Sequence, residues 1–310
     1  MLNITQRNSS NVHSEDSILI SGLDEIARLV QRRQYLLVLT GAGCSTESGI
    51  PDYRDREGAW KRQQPMTYQE FVGSHGAQQR YWARALVGWK QFRNVQPNRS
   101  HRVLARLERL GCFQSLITQN VDGLHQCAGS IQVLDLHGRI DEVECLRCPR
   151  SSPREPLQRR LEQLNPQWTE RVALMAPDGD AVIEHADFGA FEIVGCEHCQ
   201  GPLKPAVVFF GESVPSARAA RAQRSVQSAD ALLVVGSSLM AYSAYRLVRA
   251  AHELGLPIII VNQGKTRADS LASSKVEGQC GLILERLEAM MMGSKVGCET
   301  LTDRNRESRT

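Results

Sequence analysis

The fold is decided by the stretch Tyr35-Leu-Leu-Val-Leu-Thr-Gly41-Ala42-Gly43-Cys44-Ser45-Thr46-Glu47-Ser48-Gly49-Ile50-Pro51-Asp52-Tyr53-Arg54. Its apolar first part, residues 35–39, predicts a buried strand of a parallel sheet. Gly41 and Gly43 follow, and glycine can adopt backbone angles that let the chain approach a ligand closely. The polar residues 45–47 suit the start of a helix. Together these parts predict an anion-binding site, because free N–H groups and the helix dipole converge at a helix N-terminus.

Two common phosphate-binding motifs are absent from this stretch. The G-x-G-x-x-G fingerprint requires a third glycine where Thr46 stands, and no acidic residue closes a second strand about 20 residues on. The P-loop pattern fails as well, because no Gly-Lys-Ser/Thr follows. The G-A-G turn alone is equally compatible with a purely structural turn. Residues 50–54 make it less ordinary: an acid, an aromatic and a base follow the turn, and Pro51 favours a loop over the site.

Length and charge limit the classes of function. The chain has 310 residues, 42% of them hydrophobic and 23% charged, and a formal net charge of +3. This length predicts one large domain, or one with a small satellite. The charge indicates neither a nucleic acid nor an anionic membrane as a partner, and no apolar run approaches the ~18 residues of a membrane span. The polar start lacks the apolar core of a secretory signal and predicts a disordered tail over 1–18, and residues 293–310 predict a flexible tail.

The cysteines indicate a metal site. There are nine, and four of them form two C-x-x-C pairs, Cys145/Cys148 and Cys196/Cys199, separated by 149–195. Two such pairs supply four thiolates, which suits a tetrahedral, structural Zn²⁺ with no open position. The alternative is four unrelated buried thiols. The odd count and this use of cysteine favour a reducing compartment. We expect a cytoplasmic, bacterial-like monomer, with the mitochondrial matrix as the alternative location.

Strands and helices alternate along most of the chain. The pattern predicts helices at 23–33, 78–92, 101–110 (capped by Ser100), 217–228, 244–254 and 282–291, and strands at 35–39, 116–118, 133–136, 206–210, 231–235 and 257–261. This alternation predicts an α/β fold, a Rossmann-like doubly wound parallel sheet with a small zinc-binding lobe. We expect 19–144 and 201–292 to form the sheet domain, with a helical insertion near 56–98, and 145–200 to form the lobe.

Polar residues follow several of the predicted strands. His137 ends one strand, residues 119–122 end another, and 236–238 and Asn262 follow two more. Open α/β sheets bind ligands at this carboxyl edge, and a histidine there can accept a proton near neutral pH. A lone histidine is more often structural, but this polar rim suits ribose hydroxyls and an amide. Cys44 as a nucleophile is a weak alternative, because no histidine lies beside it in sequence.

These motifs together resemble the sirtuins, NAD-dependent protein-lysine deacylases, over about 20–292. The resemblance rests on 41–54, Thr118-Gln-Asn-Val-Asp122, Leu136-His137-Gly138, the two C-x-x-C pairs, Val208-Phe-Phe-Gly-Glu212, Gly236-Ser-Ser238 and Asn262. Tyr81-Trp-Ala-Arg84, Gly88-Trp89 and Gly236-Ser-Ser-Leu239 look most like the class II, sirtuin-4 type. The chain departs from that type at Cys44, where an aliphatic residue is usual, and in the length of the segment 149–195.

The resemblance implies a reaction and a set of roles. The acyl-lysine oxygen would attack the ribose C1′ and expel nicotinamide, with His137 as general base on a ribose hydroxyl and Asn120 and Asp122 as further catalytic residues. The products would be free lysine, nicotinamide and an O-acyl-ADP-ribose. Segment 52–54 would belong to a mobile loop that shields the sugar from water. NAD would contact Gly41, Ala42, Gly43, Ser45, Thr46, Asp52, Tyr53, Arg54, Gln119, Asn120, Asp122, Gly236, Ser237, Ser238, Asn262, Gln263, Gly264 and Cys280.

The substrate would be an acyl-lysine peptide or protein. The edges at Gly211-Glu212 and around Tyr242 would pair with it as an added strand. Tyr81 and Arg84 stand three residues apart on one helix face and could bind the carboxylate of an acidic acyl chain. We slightly favour the alternative, in which Tyr81 packs inside and Arg84 is solvated.

Other functions stay open from the sequence. The same NAD site could transfer a single ADP-ribosyl group to protein or remove lipoyl groups from lysine. In a different class, the chain could be a catalytically weak module that binds proteins through its zinc lobe, although an intact His137, Asn120 and Asp122 speak against this. A nucleic-acid-binding zinc ribbon is weaker still, because the lobe mixes acids and bases.

Overall fold

The computed structural model describes residues 23–24, 26–28, 35–62, 64–171, 173–183 and 186–292. The predicted tails at 1–18 and 293–310 lie outside the described residues. Among the helices of the described part, none is long and apolar enough to cross a membrane.

A six-stranded parallel sheet forms the centre of the molecule, in the order β3-β2-β1-β7-β8-β9. Its strands are β1 (Leu36–Thr40), β2 (Ser115–Thr118), β3 (Val133–Asp135), β7 (Ala231–Val235), β8 (Ile258–Asn262) and β9 (Ser274–Glu277). The chain runs outward from β1 to β3 on one side and returns through β7 on the other side of β1. The strand order therefore reverses between β1 and β7, which is where such sheets leave a crevice for ligands at their carboxyl edge.

Helices cover both faces of this sheet, as the doubly wound prediction requires. Besides the helical residues 23–24 and 26–28, the described helices are α1 (Tyr68–Gly73), α2 (His75–Phe92), α3 (Arg99–Arg109), α4 (Leu124–Cys127), α5 (Arg154–Leu164), α6 (Pro166–Thr169), α7 (Ser216–Gln227), α8 (Tyr242–Glu253) and α9 (280–292). Of these, α3 and α9 pack on one face of the large sheet and α7 and α8 on the other. Alternate residues of β1 face opposite layers: Leu36 and Val38 pack with α3 and α9, and Leu37 and Leu39 with α7 and α8. Burial on both faces explains why this strand reads as a continuous apolar run.

A second, three-stranded antiparallel sheet has the order β5-β4-β6, built from β4 (Gly138–Cys145), β5 (Ser151–Pro153) and β6 (Leu203–Val207). The strand predicted at 206–210 was expected in the parallel sheet, and this is corrected: β6 pairs with β4 instead. The apolar run identified a strand but could not identify its partner. The small sheet also reaches beyond 145–200, and the division into domains stays a prediction.

Several local predictions are also corrected. The helix expected to start at 45–47 is absent: two 3₁₀ turns, Ala42–Cys44 and Thr46–Ser48, occupy this stretch, and Gly49 ends the second with φ of 89°. A left-handed Gly49 followed by Ile50-Pro51 does not allow the turn to continue as an α-helix. Asn98, and not Ser100, caps α3, through a capping box with His101. The edge strand β9 was not predicted, because Ser274–Glu277 lacks an apolar run. The helix predicted at 23–33 is observed at residues 23–24 and 26–28, and the rest lies outside the described residues.

Candidate active site

A cavity of about 1250 Å³ opens beside the crevice between β1 and β7. It exceeds the ~300–1,000 Å³ of a typical pocket for one drug-sized ligand, so it has room for a dinucleotide and part of a second substrate. Of the residues predicted to contact NAD or substrate, Gly41, Gly264 and Arg84 do not line it. The predicted residues that do line it are Ala42, Gly43, Ser45, Thr46, Asp52, Tyr53, Arg54, Tyr81, Gln119, Asn120, Asp122, His137, Gly211, Glu212, Gly236, Ser237, Ser238, Tyr242, Asn262, Gln263 and Cys280.

Glycines lock the loop after β1 against the end of β7. The Gly43 N–H donates to the Gly236 carbonyl at 2.8 Å. A Cβ on Gly236, whose φ is 63°, would lie 2.4 Å from the Cys44 nitrogen, and a Cβ on Gly41 would lie 2.7 Å from that of Ser237. A glycine is therefore needed at position 41 because the chain packs tightly there, beneath the cavity wall, and not because a ligand would contact it. No α-helix begins there, and the N–H groups of Cys44 and Ser45 donate within the loop itself. An anion would therefore be bound by the N–H groups of Ala42 and Thr46, which donate to no partner among the described residues.

Three polar side chains meet above this loop. The Ser45 hydroxyl donates to Asp122 Oδ2 at 2.6 Å and accepts from Asn120 Nδ2 at 2.9 Å. Asn120 also donates to the Gly41 carbonyl at 3.1 Å. Burial raises the pKa of the Asp122 carboxyl, and the hydrogen bonds from Ser45 and the Leu124 N–H oppose this shift. The cluster fixes a carboxylate and an amide beside the cavity, where they can orient hydroxyl or amide groups of a ligand.

His137 is held at both ring nitrogens. Its Nδ1 lies 3.0 Å from the Gln119 carbonyl oxygen, and its Nε2 lies 2.7 Å from the hydroxyl of Ser243. The Gln119 side chain in turn donates to Ser237 Oγ at 2.7 Å. Burial lowers the pKa of His137 to about 4, which Gln119 opposes and the more distant charge of Arg218 favours. The imidazole is therefore neutral at pH 7 and able to accept a proton.

The segment after Pro51 closes one side of the cavity. The Tyr53, Trp60 and Phe210 rings pack edge to face, with centroids 5.4–6.1 Å apart. The Arg54 guanidinium lies over the Trp60 ring and donates to the Gly58 carbonyl at 3.0 Å. Asp52 forms an ion pair with Lys61. These side chains are held by contacts with one another and with Phe210, so a ligand that used them would have to rearrange the loop.

Another part of the cavity wall is formed by the ends of β7 and β8 and the start of α9. Asn262 donates from Nδ2 to the carbonyls of Gln263 and Gly264, both at 3.1 Å. Gly264 packs against Arg56, whose Cα would lie 2.6 Å from a Cβ at 264, and this contact explains its absence from the lining. Burial raises the pKa of the Cys280 thiol to about 12, so this side chain is a neutral wall residue.

The predicted substrate residues fall in different environments. Gly211 has a φ of 77°, and its carbonyl accepts from Gln69. The Glu212 carboxylate accepts from the Phe209 N–H at 2.9 Å and lies 3.5 Å from buried Lys204. Tyr242 is 57% exposed. The backbone edges near 211 and 242 border the cavity, whereas the carboxylate of Glu212 is engaged by Phe209 and Lys204.

Tyr81 and Arg84 do not form a carboxylate pocket together. Tyr81 is buried among Phe71, Trp82 and Phe209 and reaches the cavity wall. Arg84 does not line the cavity. Its Nε donates to the Ala181 carbonyl at 3.0 Å, and its Nη2 lies 3.8 Å from Asp180 Oδ2. Tyr81 therefore packs inside as the preferred alternative expected, whereas Arg84 is only partly exposed and does not line the cavity, because it pairs with the buried carboxylate of Asp180.

Ser243 and Asp178 are among the polar residues of the lining that sequence reasoning missed. Ser243 is separated from His137 by 106 residues, and an isolated serine at the start of a helix carries no distinguishing signal. Asp178 lies in the segment 149–195, which the sequence assigns to the zinc-binding lobe and not to the site. The sequence Asp178-Gly-Asp is typical only of a turn.

Four thiols of the lobe lie together, as the two C-x-x-C pairs predicted. The Cys145–Cys199 sulfurs are 3.5 Å apart and the Cys148–Cys196 sulfurs 3.8 Å apart, and all four lie within 4.8 Å of one another. A tetrahedral Zn²⁺ with ~2.3 Å bonds requires sulfurs about 3.8 Å apart, so the site fits zinc. Gly201 permits this arrangement, since a Cβ there would lie 3.1 Å from two of the sulfurs. The metal would be structural, because thiolates fill all four positions.

A second group of metal-ligand types, Cys44, His101 and His125, lies buried behind the glycine loop. His101 lies 3.4 Å from Ser45 Oγ through Nε2 and accepts from the Asn98 N–H at Nδ1, and His125 contacts Thr40 Oγ1 at 2.9 Å. Burial lowers the pKa of His101 to about 3, so its ring is neutral. Burial also raises the pKa of the Cys44 thiol, which argues against its use as a nucleophile. Cys44, His101 and His125 therefore stabilise the glycine loop by packing against it on the side away from the cavity.

Comparisons with known proteins agree with this geometry. The model of the Sir2 family matches residues 41–243. A protein of Xanthomonas axonopodis pv. citri (strain 306), named NAD-dependent protein deacetylase, is 55% identical over 84% of this chain and 89% of its own length. A protein of the same name from Bordetella bronchiseptica (strain ATCC BAA-588 / NCTC 13252 / RB50) is 52% identical over 86% of this chain and 97% of its own.

Solved structures give the same result. The crystal structure of a Sir2 homologue in complex with NAD superposes with a TM-score of 0.68 at 30% identity and covers 87% of this chain and 94% of its own. A Sir2 protein in complex with a p53 peptide and NAD⁺ gives a TM-score of 0.66 at 28% identity and covers 88% of this chain and 98% of its own.

Proposed function

The chain belongs to the Sir2 family, and from this premise we propose how its cavity carries out NAD-dependent protein deacetylation. The protein is an NAD-dependent protein deacetylase, with NAD as its co-substrate. Its parallel α/β fold is that of the Sir2 enzymes, and its Cys₄ cluster fits a structural zinc. The assignment of individual residues to steps of the reaction is the proposal that follows.

The residues at the cavity fit NAD in their chemistry. Ala42 and Thr46 line the cavity, and their N–H groups, which donate to no partner among the described residues, suit phosphates. Asn120, Asp122 and Ser45 suit an amide and ribose hydroxyls. Asn262, Gln263 and Cys280 would border the adenosine end. Bound NAD supplies the glycosidic bond that breaks and the ribose that receives the acyl group. The loop at 52–60 would exclude water from the reacting sugar when it rearranges over the ligand.

His137 is the proposed general base, and its hydrogen bonds are the observation that carries this assignment. The Gln119 carbonyl only accepts, so Nδ1 carries the proton and Nε2 holds the lone pair of the neutral ring. Nε2 faces a hydroxyl at the cavity wall, which is the direction from which a ribose hydroxyl would approach. We propose that the proton lost by the ribose hydroxyl ends on His137 Nε2.

The protein substrate would be an extended peptide that carries an acyl-lysine. The support is the position of the backbone near Gly211 and Tyr242 beside the cavity, and the peptide bound by a solved Sir2 relative. We also propose the class II, sirtuin-4 type branch, based on the motifs around Tyr81 and Gly88. A monomeric state and a cytoplasmic location stay predictions from the sequence.

The test measures nicotinamide release from NAD with a panel of acyl-lysine peptides, followed by mass spectrometry of the products. We expect release that depends on both peptide and His137, with the acyl group transferred to ADP-ribose. His137→Ala should abolish acyl transfer, and His252→Ala, which changes an exposed histidine of α8, should not. A peptide whose mass increases by one ADP-ribosyl group would instead establish the transferase activity. No turnover of any peptide would contradict the proposal.

A further inference from the structure

The hydroxyl of Ser243 stands between His137 and the cavity. His137 Nδ1 is committed to the Gln119 carbonyl, so the only lone pair of the neutral ring is at Nε2. Ser243 Oγ lies 2.7 Å from that nitrogen and must donate to it. The lone pair of His137 Nε2, which would accept a proton from a substrate hydroxyl, is therefore already hydrogen-bonded to Ser243.

Ser243 is equipped to pass a proton on. Its side chain is half-buried and lines the cavity. Among the described hydrogen bonds, its oxygen has no partner other than His137, so both of its lone pairs can still accept. Its position is also fixed: Ser243 lies in the first turn of α8, and Ala244 and Leu247 of that helix are buried in the core.

We infer that Ser243 is a catalytic residue that relays the proton from the substrate ribose hydroxyl to His137 Nε2. The relay rests on the proposed function, since it serves the same base. The ribose O–H bond breaks and its proton moves to Ser243 Oγ, while the proton that Oγ held moves to Nε2. Ser243 ends as a neutral hydroxyl, His137 as an imidazolium, and the ribose oxygen is free to attack the acyl carbon.

Loss of a proton relay should affect two steps of the reaction differently, whereas loss of a residue with a merely structural role should affect both steps alike. Expulsion of nicotinamide requires no base on the ribose hydroxyl, whereas acyl transfer requires it. Exchange of labelled nicotinamide into NAD, in the presence of peptide, measures the first step alone. Loss of Ser243 should therefore spare exchange and slow deacylation.

The experiment compares Ser243→Ala with Ser243→Thr, which keeps the hydroxyl, and with Ser216→Ala, which removes an exposed serine from the first turn of α7. We expect Ser243→Ala to lower deacylation about 10- to 100-fold and to change nicotinamide exchange by less than about twofold. The dependence of the rate on the D₂O fraction should be curved in the unaltered protein, since two protons move together, and linear in Ser243→Ala. Ser243→Thr should recover most of the rate, and Ser216→Ala should lose none.

A second measurement uses no NAD. In ¹⁵N NMR spectra of the NAD-free protein, the His137 Nε2 resonance should move downfield in Ser243→Ala, because the lone pair loses its hydrogen bond. Unchanged deacylation in Ser243→Ala, an equal loss of exchange and deacylation, or an unmoved Nε2 resonance would each overturn the relay. If the unaltered protein released no nicotinamide with peptide while the resonance moved as expected, the proposed function and its relay would fail, and only the hydrogen bond would stand.

Discussion

A Cβ atom on Gly88 would lie 2.1 Å from the carbonyl oxygen of Gly179, so α2 and the segment 173–183 touch backbone to backbone. Such an approach is possible only because Gly88 has no side chain. Asp178, the neighbour of Gly179, lines the cavity. The position of Asp178 in the cavity wall therefore depends on Gly88, which lies in α2 and not in the parallel sheet that carries most of the site.

Substitution of Gly88 by alanine should displace this segment. We expect Gly88→Ala to destabilise the protein by about 1–3 kcal/mol, because the new methyl group meets backbone atoms that cannot rotate away. KM for acyl-lysine peptide should rise as the segment moves from the cavity. Gly76→Ala is the matched control, since it lies in the same helix with open space around its Cβ. Denaturant unfolding and steady-state kinetics measure both effects, and equal behaviour of the two variants would contradict the argument.

Arg84 should matter for stability and not for acyl selectivity. Its guanidinium is the nearest cation to Asp180, which is 2% exposed and has one oxygen, Oδ1, without a hydrogen bond among the described residues. Burial raises the pKa of Asp180 well above its ordinary value, and Arg84 opposes that shift. We expect Arg84→Met to cost about 1–3 kcal/mol in the free energy of unfolding and to lower turnover of acetyl-, succinyl- and glutaryl-lysine peptides equally.

The control is Arg80→Met, an exposed arginine of the same helix, which should change the free energy of unfolding by less than ~0.5 kcal/mol. A selective loss on succinyl- and glutaryl-lysine in Arg84→Met would restore the hypothesis that Arg84 binds the acyl carboxylate.

Sequence patterns correctly predicted those parts of the structure that neighbouring residues determine by themselves. The apolar run of β1 and the two C-x-x-C pairs each specify their own geometry, and both are found as expected. The same reasoning failed for residues 45–48, because Gly49 and Pro51 limit the turn to 3₁₀ geometry. It also failed for β6, because an apolar run does not reveal whether its partner strand is parallel or antiparallel.

The contacts that the sequence did not reveal are distant in the chain. Arg84 reaches Ala181 across 97 residues and His137 reaches Ser243 across 106. In each case both residue types are common on protein surfaces, and only the folded chain shows that they meet. The carboxyl edge of the sheet could be predicted as the site because strand ends converge there, but the hydrogen-bond partners at that edge could not.

Loss of zinc should unfold the small sheet first. Cys145 lies at the end of β4, and Cys196 and Cys199 precede β6, so the metal joins two of the three strands of this sheet. We expect one zinc per chain by elemental analysis, and loss of amide-exchange protection in β4–β6 after chelation or in Cys148→Ser, because metal binding contributes to folding. Cys127→Ser, an exposed cysteine outside the cluster, should keep both zinc and protection. A metal-free protein with a fully protected small sheet would contradict a structural role.

The activity of the protein should persist at a lower pH than an ordinary histidine base allows. Only the neutral form of His137 can accept a proton, and burial lowers its pKa to about 4, so that form persists as the pH falls below 6.5. We expect kcat/KM to stay level from about pH 7.5 down to about pH 5, because this parameter reports ionisations of the free enzyme. NMR titration of the His137 ring in the NAD-free protein should give a midpoint near 4, and it separates this group from the Asp122 carboxyl, whose pKa burial raises. A His137 midpoint near 6.5, together with half-maximal kcat/KM at that pH, would show that the ring is hydrated and not buried as in this structure.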